Sequence, residues 1–277
     1  MMSKRTPIES CLLCRANPAT KTNSHILSKF ISTNFLGGKN QPRKGFEFSS
    51  DSALERKPRV VQDSAKESHL LCDDCEAYLS VIEGLSSDTF ISWEAKVVKG
   101  EFIQTAIKDF LDIVDCNSSD PAIIRLFIYS LFWRVSISNH GLFKDYKLAV
   151  DLEDEMRQML LTYKATTRAD FLQGLATKPH VPVFPFTIIT AKSFTDETAN
   201  VLFAPYSYDP YSLIVDRFSF ILFTDVKQMK HDFMQEFGNT ETNHCRMMIF
   251  SEELWHTLMV KEPLEIVAKS AVNKKKE

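Results

Sequence analysis

The hydrophobic pattern of the chain changes close to Pro179. Before this proline, apolar residues recur at a spacing typical of helices, which predicts helical structure across 101–176. After it, short runs rich in β-branched and aromatic residues are bounded by Pro, Asp, Asn and Ser, which predicts strands mainly within 181–250. The expected fold class is therefore α+β, with a helical segment followed by a β-rich C-terminal part.

Two apolar segments define the helical middle. EFIQTAIKDFLDIVD places its large apolar residues roughly on one side of a helix, and the polar run Asn117–Pro121 then predicts a stop and a restart. The next segment, PAIIRLFIYSLFWRVSI, is the most apolar of the chain. Arg125 and Arg134 interrupt it, and it is shorter than the ~20 apolar residues that cross a bilayer. We therefore expect a buried helix and no membrane contact.

The first part of the chain has a different composition. Across residues 37–66 the sequence is polar and rich in turn-forming residues, which predicts a loop or an inserted hairpin with GFEFSS and PRVVQ as short strands. From Asp73 to about Val98 the pattern predicts one helix that begins with acidic residues, as the helix dipole favours. We expect two domains, residues 1–95 and residues 96–277.

Charge is unevenly distributed along the chain. The formal net charge is −3, yet the segment up to Lys66 carries twelve Lys and Arg residues against five Asp and Glu. This asymmetry predicts a basic N-terminal module joined to an acidic body; a solvated basic loop is the alternative. The start of the sequence, MMSKRTP, lacks the apolar stretch of an export signal. We therefore expect a reducing, cytoplasmic setting, in which paired cysteines favour metal over disulfides.

Two C-x-x-C pairs separated by 57 residues predict a zinc site. Its expected ligands are Cys11, Cys14, Cys72 and Cys75. A C-x-x-C turn presents two thiolates together, and four of them close the tetrahedral shell of a structural Zn²⁺ at ~2.3 Å. The long intervening segment is tolerated because loop-closure entropy grows slowly with length. Two unrelated pairs or a redox pair are the alternatives, and we expect Cys116 and Cys245 to be packing residues.

The order of these features is that of a treble clef, in which one knuckle precedes a hairpin and a helix whose first turn holds the last two ligands. The string CLLC…SHILSKF…LLCDDCE also resembles the HNH, or ββα-metal, nuclease family in its zinc-supported form. The resemblance covers about the first 85 residues. Family members carry an Asp-His, His-His or similar pair after the first knuckle, and Ser24-His25 takes that place in this chain.

The resemblance implies roles for individual residues. His25 would act as the general base that activates water against a phosphodiester, and a Mg²⁺ or Mn²⁺ ion would stabilise the phosphate. Glu76 would supply a ligand to that ion, with Asp73, Asp74 and Glu83 as lesser candidates. From the residues alone, two alternatives stay open: His25 caps a turn, and Glu76 only complements the helix N-terminus.

Two hypotheses of function follow. The first is a metal-dependent, HNH-like endonuclease that hydrolyses DNA, and the resemblance extends to effectors of bacterial anti-phage or mobile-element defence. In this hypothesis the basic segment holds the DNA backbone and the C-terminal body senses a protein partner. The second is a non-catalytic zinc-binding adaptor for nucleic acid or protein. Geometry separates them, because the nuclease site expected here needs His25 and at least two further ligands within ~5 Å of one ion position.

Overall fold

A computed structural model describes the chain over residues 5–31, 45–48, 59–61, 64–178, 181–194, 201–204, 210–262 and 265. It contains both helices and sheets, so the α+β class expected from the sequence is confirmed. The helices are α1 (Asp73–Ile91), α2 (Trp93–Val98), α3 (Pro121–Ile137), α4 (Val150–Thr162), α5 (Arg168–Thr177), α6 (Asp232–Phe237) and α7 (Glu252–Trp255), with a 3₁₀ turn at Val226–Gln228 and a π-helical turn at His256–Lys261. The strands are β1 (Ser24–His25), β2 (Gly45–Phe48), β3 (Arg59–Val61), β4 (Lys66–Glu67), β5 (Ile103–Lys108), β6 (Leu111–Asp115), β7 (Phe186–Ala191), β8 (Val201–Phe203), β9 (Tyr211–Asp216), β10 (Phe218–Leu222) and β11 (Arg246–Phe250).

Two compact units share the chain. Unit 1 comprises Met1–Phe30, Ala65–Trp93 and Ser119–Val183. Unit 2 comprises Ile31–Ser64, Glu94–Ser118 and Phe184–Glu277. Both cysteine pairs therefore belong to unit 1, while most of the sequence between them belongs to unit 2. The two units do not coincide with the division at residue 95 that the sequence suggested. A separate zinc module of residues 1–95 stays a prediction.

A short antiparallel ladder in unit 1 carries the predicted general base. β1 pairs with β4, so that Ser24 lies opposite Glu67 and His25 lies opposite Lys66. The Glu67 carboxylate accepts a hydrogen bond from the Ser138 hydroxyl at 2.8 Å. Because Ser138 is the residue that follows the last turn of α3, this bond ties the ladder to the end of that helix.

Helix α3 forms the core of unit 1. Its sequence is apolar on every side, and Asp120 caps it by accepting a hydrogen bond from a backbone N–H of the first turn at 2.8 Å. Pro121 occupies the first turn, as predicted. The rings of Phe30 and Phe90 pack on Phe127 at centroid distances of 5.4 and 5.2 Å. Among the helices in the described residues, α3 included, none has both the length and the apolar character to cross a membrane.

In the part of unit 2 that the structure describes, nine strands form one sheet, in the order β3-β2-β8-β9-β10-β7-β11-β6-β5. Neighbouring strands run antiparallel except for two parallel pairs, β2 with β8 and β7 with β11. β7, which reads FTIITA, is buried along its whole length, as expected for a strand covered on both faces. The inserted hairpin predicted between the cysteine pairs is confirmed, because β2 and β3 pair antiparallel at one edge of this sheet.

The prediction of a helix at EFIQTAIKDFLDIVD is wrong. The segment folds as the hairpin of β5 and β6, so the helices predicted across 101–176 begin only at Pro121. Its β-branched residues, among them Ile103, Thr105 and Ile113, lose side-chain freedom in a helix and fit a pleated strand. β6 is buried almost throughout, so it lacks the alternation of apolar and polar residues that identifies a half-buried strand.

The single helix expected from Asp73 to Val98 is also corrected. It is two helices, and Ser92 separates them with a φ of −115° and a ψ of 14°, outside helical geometry. The Ser92 N–H still donates to Asp88 O at 3.3 Å and closes the last turn of α1. A serine side chain competes with the backbone for hydrogen bonds, which favours a helix end at this position.

Candidate functional site

The four cysteines of the two C-x-x-C pairs lie together in unit 1. Their sulfur atoms are all within 4.8 Å of one another, and Cys14 Sγ lies 3.9 Å from Cys72 Sγ. A tetrahedral Zn²⁺ with bonds of ~2.3 Å has its sulfur ligands ~3.8 Å apart, so a small contraction around an ion completes the site. Cys11, Cys14, Cys72 and Cys75 therefore fit a metal ion, and four sulfurs are compatible with structural zinc.

Backbone hydrogen bonds shape the first knuckle. The Cys11 N–H donates to Asn17 O at 2.8 Å, and the Arg15 N–H donates to Cys11 O at 2.8 Å. Arg15 has a φ of 56°, the left-handed conformation that closes the turn. The Leu12 N–H also donates to Leu70 O at 2.9 Å, which holds the first knuckle against the chain that leads into the second.

Helix α1 begins at the second knuckle. Cys72 precedes the helix in an extended conformation, and Cys75 lies in its first turn, buried. Asn17 Nδ2 lies 3.9 Å from Cys72 Sγ and provides a weak donor to that sulfur. The positive end of the helix dipole and this donor both stabilise negative charge on the sulfur atoms.

The pKa values of the clustered thiols shift in opposite directions. Burial raises the pKa of Cys72, and hydrogen bonding with Cys11, followed by burial, raises the pKa of Cys75. Hydrogen bonding with Cys75 lowers the pKa of the Cys11 thiol to about 4, against the effect of burial. Burial by itself would lower the pKa of Lys164, but negative charge on Cys75, Cys14 and Cys72 raises it above its ordinary value. A cation therefore stands beside the cluster, where it offsets part of the charge that four thiolates place around one Zn²⁺. When bound, the ion would supply a cross-link between two distant segments of the chain.

The two remaining cysteines lie outside this cluster. Cys116 and Cys245 are buried in unit 2, where the Cys116 N–H donates to Cys245 O at 2.9 Å. Hydrogen bonding with Cys245, and then burial, raise the pKa of the Cys116 thiol. Cys116 therefore remains protonated, and both cysteines are buried packing residues, as expected from the sequence.

His25 is partly buried on β1. Burial lowers the pKa of its imidazole first, and the positive charges of Lys66, Lys29 and Arg134 lower it further, against the opposing charge of Glu83. The ring is therefore neutral at pH 7, because its pKa lies below the ordinary value near 6.5. Neutral imidazole is the form that accepts a proton.

Glu76 lies in the first turn of α1 and is also partly buried. Burial raises the pKa of its carboxyl, while the charge of Arg134 and the hydroxyl of Ser24 lower it. Glu76 thus lies beside the residue that precedes His25 in β1. Both side chains interact electrostatically with Arg134 and Glu83, so β1 and α1 bring them to one region of unit 1.

Arg134 is the residue of this region that sequence reasoning missed. Its side chain is 5% exposed on α3, its Nη2 lies 2.5 Å from Glu83 Oε1, and its Nη1 donates to His25 O at 3.1 Å. One guanidinium therefore joins α1, α3 and β1. The signal in the sequence was an arginine within the apolar run LFIYSLFWRVSI, because a guanidinium in such a helix needs buried partners.

The described residues contain no second cluster of three or more candidate metal ligands. Within them, the four cysteines are the only group of three or more His, Cys, Asp or Glu side chains close enough to hold one ion. The expected convergence of His25 with two further ligands is therefore absent from this part of the chain. Of the lesser candidates, Glu83 is paired with Arg134, and Asp73 and Asp74 are exposed. A catalytic Mg²⁺ or Mn²⁺ held by three of these protein groups does not fit.

The basic segment up to Lys66 is described only in part. Residues 1–4, 32–44, 49–58 and 62–63 lie outside the described residues, so the predicted contacts of this segment with DNA fall largely outside them. Of its described residues, Arg15 pairs with Asp154 at 3.0 Å and Lys29 is exposed. His69 has a structural position, since its Nδ1 lies 2.9 Å from a backbone carbonyl oxygen, that of Ala19.

Comparisons with known proteins do not assign a family. No protein-family model matches the chain, and no curated protein or solved structure matches it significantly. The resemblance to HNH nucleases therefore rests on the quoted sequence strings alone. Unit 1 has the order of a knuckle, two paired strands and a helix that begins at the second knuckle.

Proposed function

We propose that unit 1 is a zinc-stabilised, HNH-like endonuclease module that hydrolyses DNA phosphodiester bonds. The observation that carries this proposal is the grouping of His25 and Glu76 around Arg134, with Glu76 directly after the metal ligand Cys75. The order of elements supports it, because the histidine lies on the first strand of a ladder and the carboxylate lies in the first turn of the following helix.

Three kinds of side chain share the chemistry in this proposal. The neutral imidazole of His25 takes a proton from the attacking water. Lys66 and Lys29, whose charges act on His25, attract the phosphate backbone. Arg134 is a positioning residue, because its bond to the His25 carbonyl holds the strand that presents the ring.

A divalent ion would take Glu76 as its protein ligand. Mg²⁺ commonly binds only one or two carboxylates and completes its shell with water and substrate phosphate oxygens. When bound, the ion would supply positive charge against the phosphate. This arrangement needs fewer protein ligands than the three-ligand site expected from the sequence.

DNA cleavage by purified variants tests the proposal. Supercoiled plasmid and linear DNA are incubated with the wild type, His25→Ala and Glu76→Gln in Mg²⁺, in Mn²⁺ and in chelator. We expect ion-dependent cutting by the wild type and a loss of roughly a hundredfold or more in both variants, the usual contribution of a general base or an essential ligand. No cutting by the wild type with either ion would contradict the nuclease proposal.

Matched variants separate chemistry from folding. His256→Ala removes an exposed histidine of unit 2, and Glu94→Gln neutralises an exposed carboxylate in the first turn of α2. Both variants should cut as the wild type does. Each inactive variant must retain about one zinc per chain. If His25→Ala loses its zinc, His25 has a structural role, and the loss of cutting does not show a catalytic one.

A second candidate function is a non-catalytic zinc module that binds DNA or a protein. The ion pair of Arg134 with Glu83 favours it, because this pair occupies a carboxylate that was a candidate metal ligand. Gel-shift titrations at several salt concentrations discriminate the two functions. An adaptor binds DNA with a strong salt dependence and never cuts it, and His25→Ala binds as tightly as the wild type.

We extend the nuclease proposal to a defence role in the bacterial cytoplasm, against phage or mobile elements. Reducing conditions there keep four thiols available for zinc. The C-terminal body, residues 96–277, would contact a protein partner that triggers cutting. Phage plating on cells that express the wild type or His25→Ala tests this role, and equal plating efficiency on both would count against it.

A further inference from the structure

A cavity of about 200 Å³ lies in unit 2, between the face of β9 and β10 and the C-terminal helical segment. It is partly open to solvent. Its apolar walls include Ile214, Ile221, Met234, Leu258 and Met259. An apolar cavity of ~150 Å³ accommodates a benzene molecule, so this cavity has room for one substituted ring.

The strand register builds one wall of the cavity. Ser219 pairs with Ile214, and Ile221 pairs with Ser212, across the antiparallel strands β9 and β10. Directly paired residues share a face of the sheet, so these four side chains lie on the same side. A wall made of two neighbouring strands inside a large sheet holds its side chains in a defined geometry.

Ser219 is the most buried polar residue of the cavity lining. The residue is 1% exposed, and within the described part of the chain its Oγ has no hydrogen-bond partner. Buried hydroxyl groups are nearly always hydrogen-bonded, because an unpaired one loses its contacts with water and gains nothing in return. A ligand with a donor or acceptor group would satisfy this hydroxyl.

An uncommon helical turn forms the opposite wall. α7 continues into the π-helical turn His256–Lys261, which contributes Leu258 and Met259 to the cavity. π-helical turns are rare and occur frequently at functional sites. The turn and the unsatisfied Ser219 hydroxyl are independent features, and both belong to residues that line the same cavity.

Three exposed residues with long polar side chains also line the cavity. Lys230, His231 and Glu262 belong to its lining, and their exposure keeps their polar groups in contact with water. An ionised ligand would lose its hydration between apolar walls and find no buried counter-charge among the described lining residues. The chemistry of the cavity therefore favours an uncharged ligand.

We propose that this cavity binds a small uncharged molecule with one aromatic ring and a hydroxyl or amide group that hydrogen-bonds to Ser219. The ring contacts Ile214, Ile221 and Met259. This site belongs to unit 2 alone, and it does not depend on whether unit 1 cuts DNA.

Methyl NMR of the full-length protein, labelled at the Ile and Met methyl groups, tests the proposal. The probes are phenol, benzene and benzoate, which share a ring and differ in hydrogen bonding and charge. We expect phenol to shift the Ile214, Ile221 and Met259 resonances in a saturable way. Its dissociation constant should be about threefold or more below that of benzene, the effect of one neutral hydrogen bond, and benzoate should bind more weakly than phenol.

Variants assign the hydrogen bond. Ser219→Ala should weaken the binding of phenol to the affinity of benzene, and it should leave the affinity for benzene unchanged. Thr187→Val is the matched control, because Thr187 carries another buried hydroxyl of the same sheet, without a partner among the described residues, and does not line the cavity. Leu258→Trp fills the cavity and should abolish the binding of both probes.

Three results would overturn the proposal. The first is the absence of saturable shifts with every probe in the folded wild type. The second is equal phenol affinity in the wild type and Ser219→Ala. The third is tightest binding by benzoate, which would assign a charged ligand. The comparison of the three probes needs only the wild type, so it decides the proposal even where a variant folds poorly.

Discussion

Arg134 connects the residues of the candidate site in unit 1 more directly than any sequence pattern indicated. Its guanidinium holds the Glu83 carboxylate at 2.5 Å and the His25 carbonyl at 3.1 Å. A charged pair with so little solvent exposure stabilises the fold only while both partners are present. The interaction energy of the pair is therefore measured by comparing the two single variants with the double variant.

Arg134→Met should lower the free energy of unfolding by ~3–5 kcal/mol, because Glu83 then keeps a mostly buried charge without its partner. The double variant Arg134→Met, Glu83→Gln should regain much of that loss. Urea denaturation of the wild type, the two single variants and the double variant measures the coupling. Simple addition of the two single losses would show that the pair does not interact.

His25 should make stability depend on pH just below neutrality. Its pKa in the folded protein is lower than the ~6.5 of an unfolded histidine, so below that value the unfolded chain binds the proton more readily. Stability is therefore complete above about pH 6.5 and is lost as the pH falls toward the folded pKa. His25→Gln should flatten this decrease in denaturation experiments between about pH 7 and pH 5. If the free energy of unfolding falls equally with pH in the wild type and in His25→Gln, His25 does not cause the pH dependence.

At the scale of elements, a glycine ends α6 where the chain approaches other groups closely. A Cβ at Gly238 would overlap Met234 O and lie 2.9 Å from Met229 Cε. Its φ is −70°, so the requirement for glycine is one of space and not of backbone conformation. By contrast, a Cβ at Gly174 in α5 would have nothing within 4 Å.

Gly238→Ala should therefore lower the free energy of unfolding by ~1–3 kcal/mol, the usual effect of overpacking. Gly174→Ala should raise it by ~0.5–1 kcal/mol, because alanine restricts the unfolded chain and favours the helix. Denaturant titrations of the two variants measure the difference. If the free energy of unfolding changes with the same sign in Gly238→Ala and Gly174→Ala, the close packing at Gly238 is contradicted.

The hairpin of β5 and β6 shows why an element can be misread. The pattern of its apolar residues fits a helix, yet β6 pairs with β11, a strand more than 130 positions later in the chain. Pairing of this kind outweighs local propensity, because it buries a whole strand and satisfies its backbone. The inserted hairpin of β2 and β3 was predicted correctly, since its turn residues and short strands are local signals.

At the scale of the whole molecule, the four clustered cysteines belong to one unit, while most of the chain between the two pairs belongs to the other. Unit 1 is built from three separate segments of the sequence, and its two knuckles come from two of them. A bound ion would therefore stabilise unit 1 by joining segments that the sequence keeps far apart. The sheet of unit 2 contains no part of this cluster among the described residues.

Chelation of zinc should destabilise unit 1 and leave the stability of unit 2 unchanged. Hydrogen exchange in α1, β1 and β4 should accelerate by at least about tenfold, because a structural zinc supplies much of the folding free energy of its module. β7, β10 and β11 should keep their protection. Cys72→Ser should reproduce the effect without chelator, while Cys245→Ser, a buried cysteine outside the cluster, should respond as the wild type does. Uniform acceleration in both units would contradict this separation.

By itself, the sequence determined the cluster of four cysteines, the buried helix α3 and the strand-rich C-terminal part. Each of these depends on local information: the spacing of cysteines in a turn, a continuous apolar run, or β-branched residues between turn signals. Only the tertiary structure decided that 101–115 forms a hairpin, that Arg134 joins Glu83 to His25, and that Ser219 lines a cavity. These features arise from contacts between residues distant in the chain, whose geometry no local pattern contains.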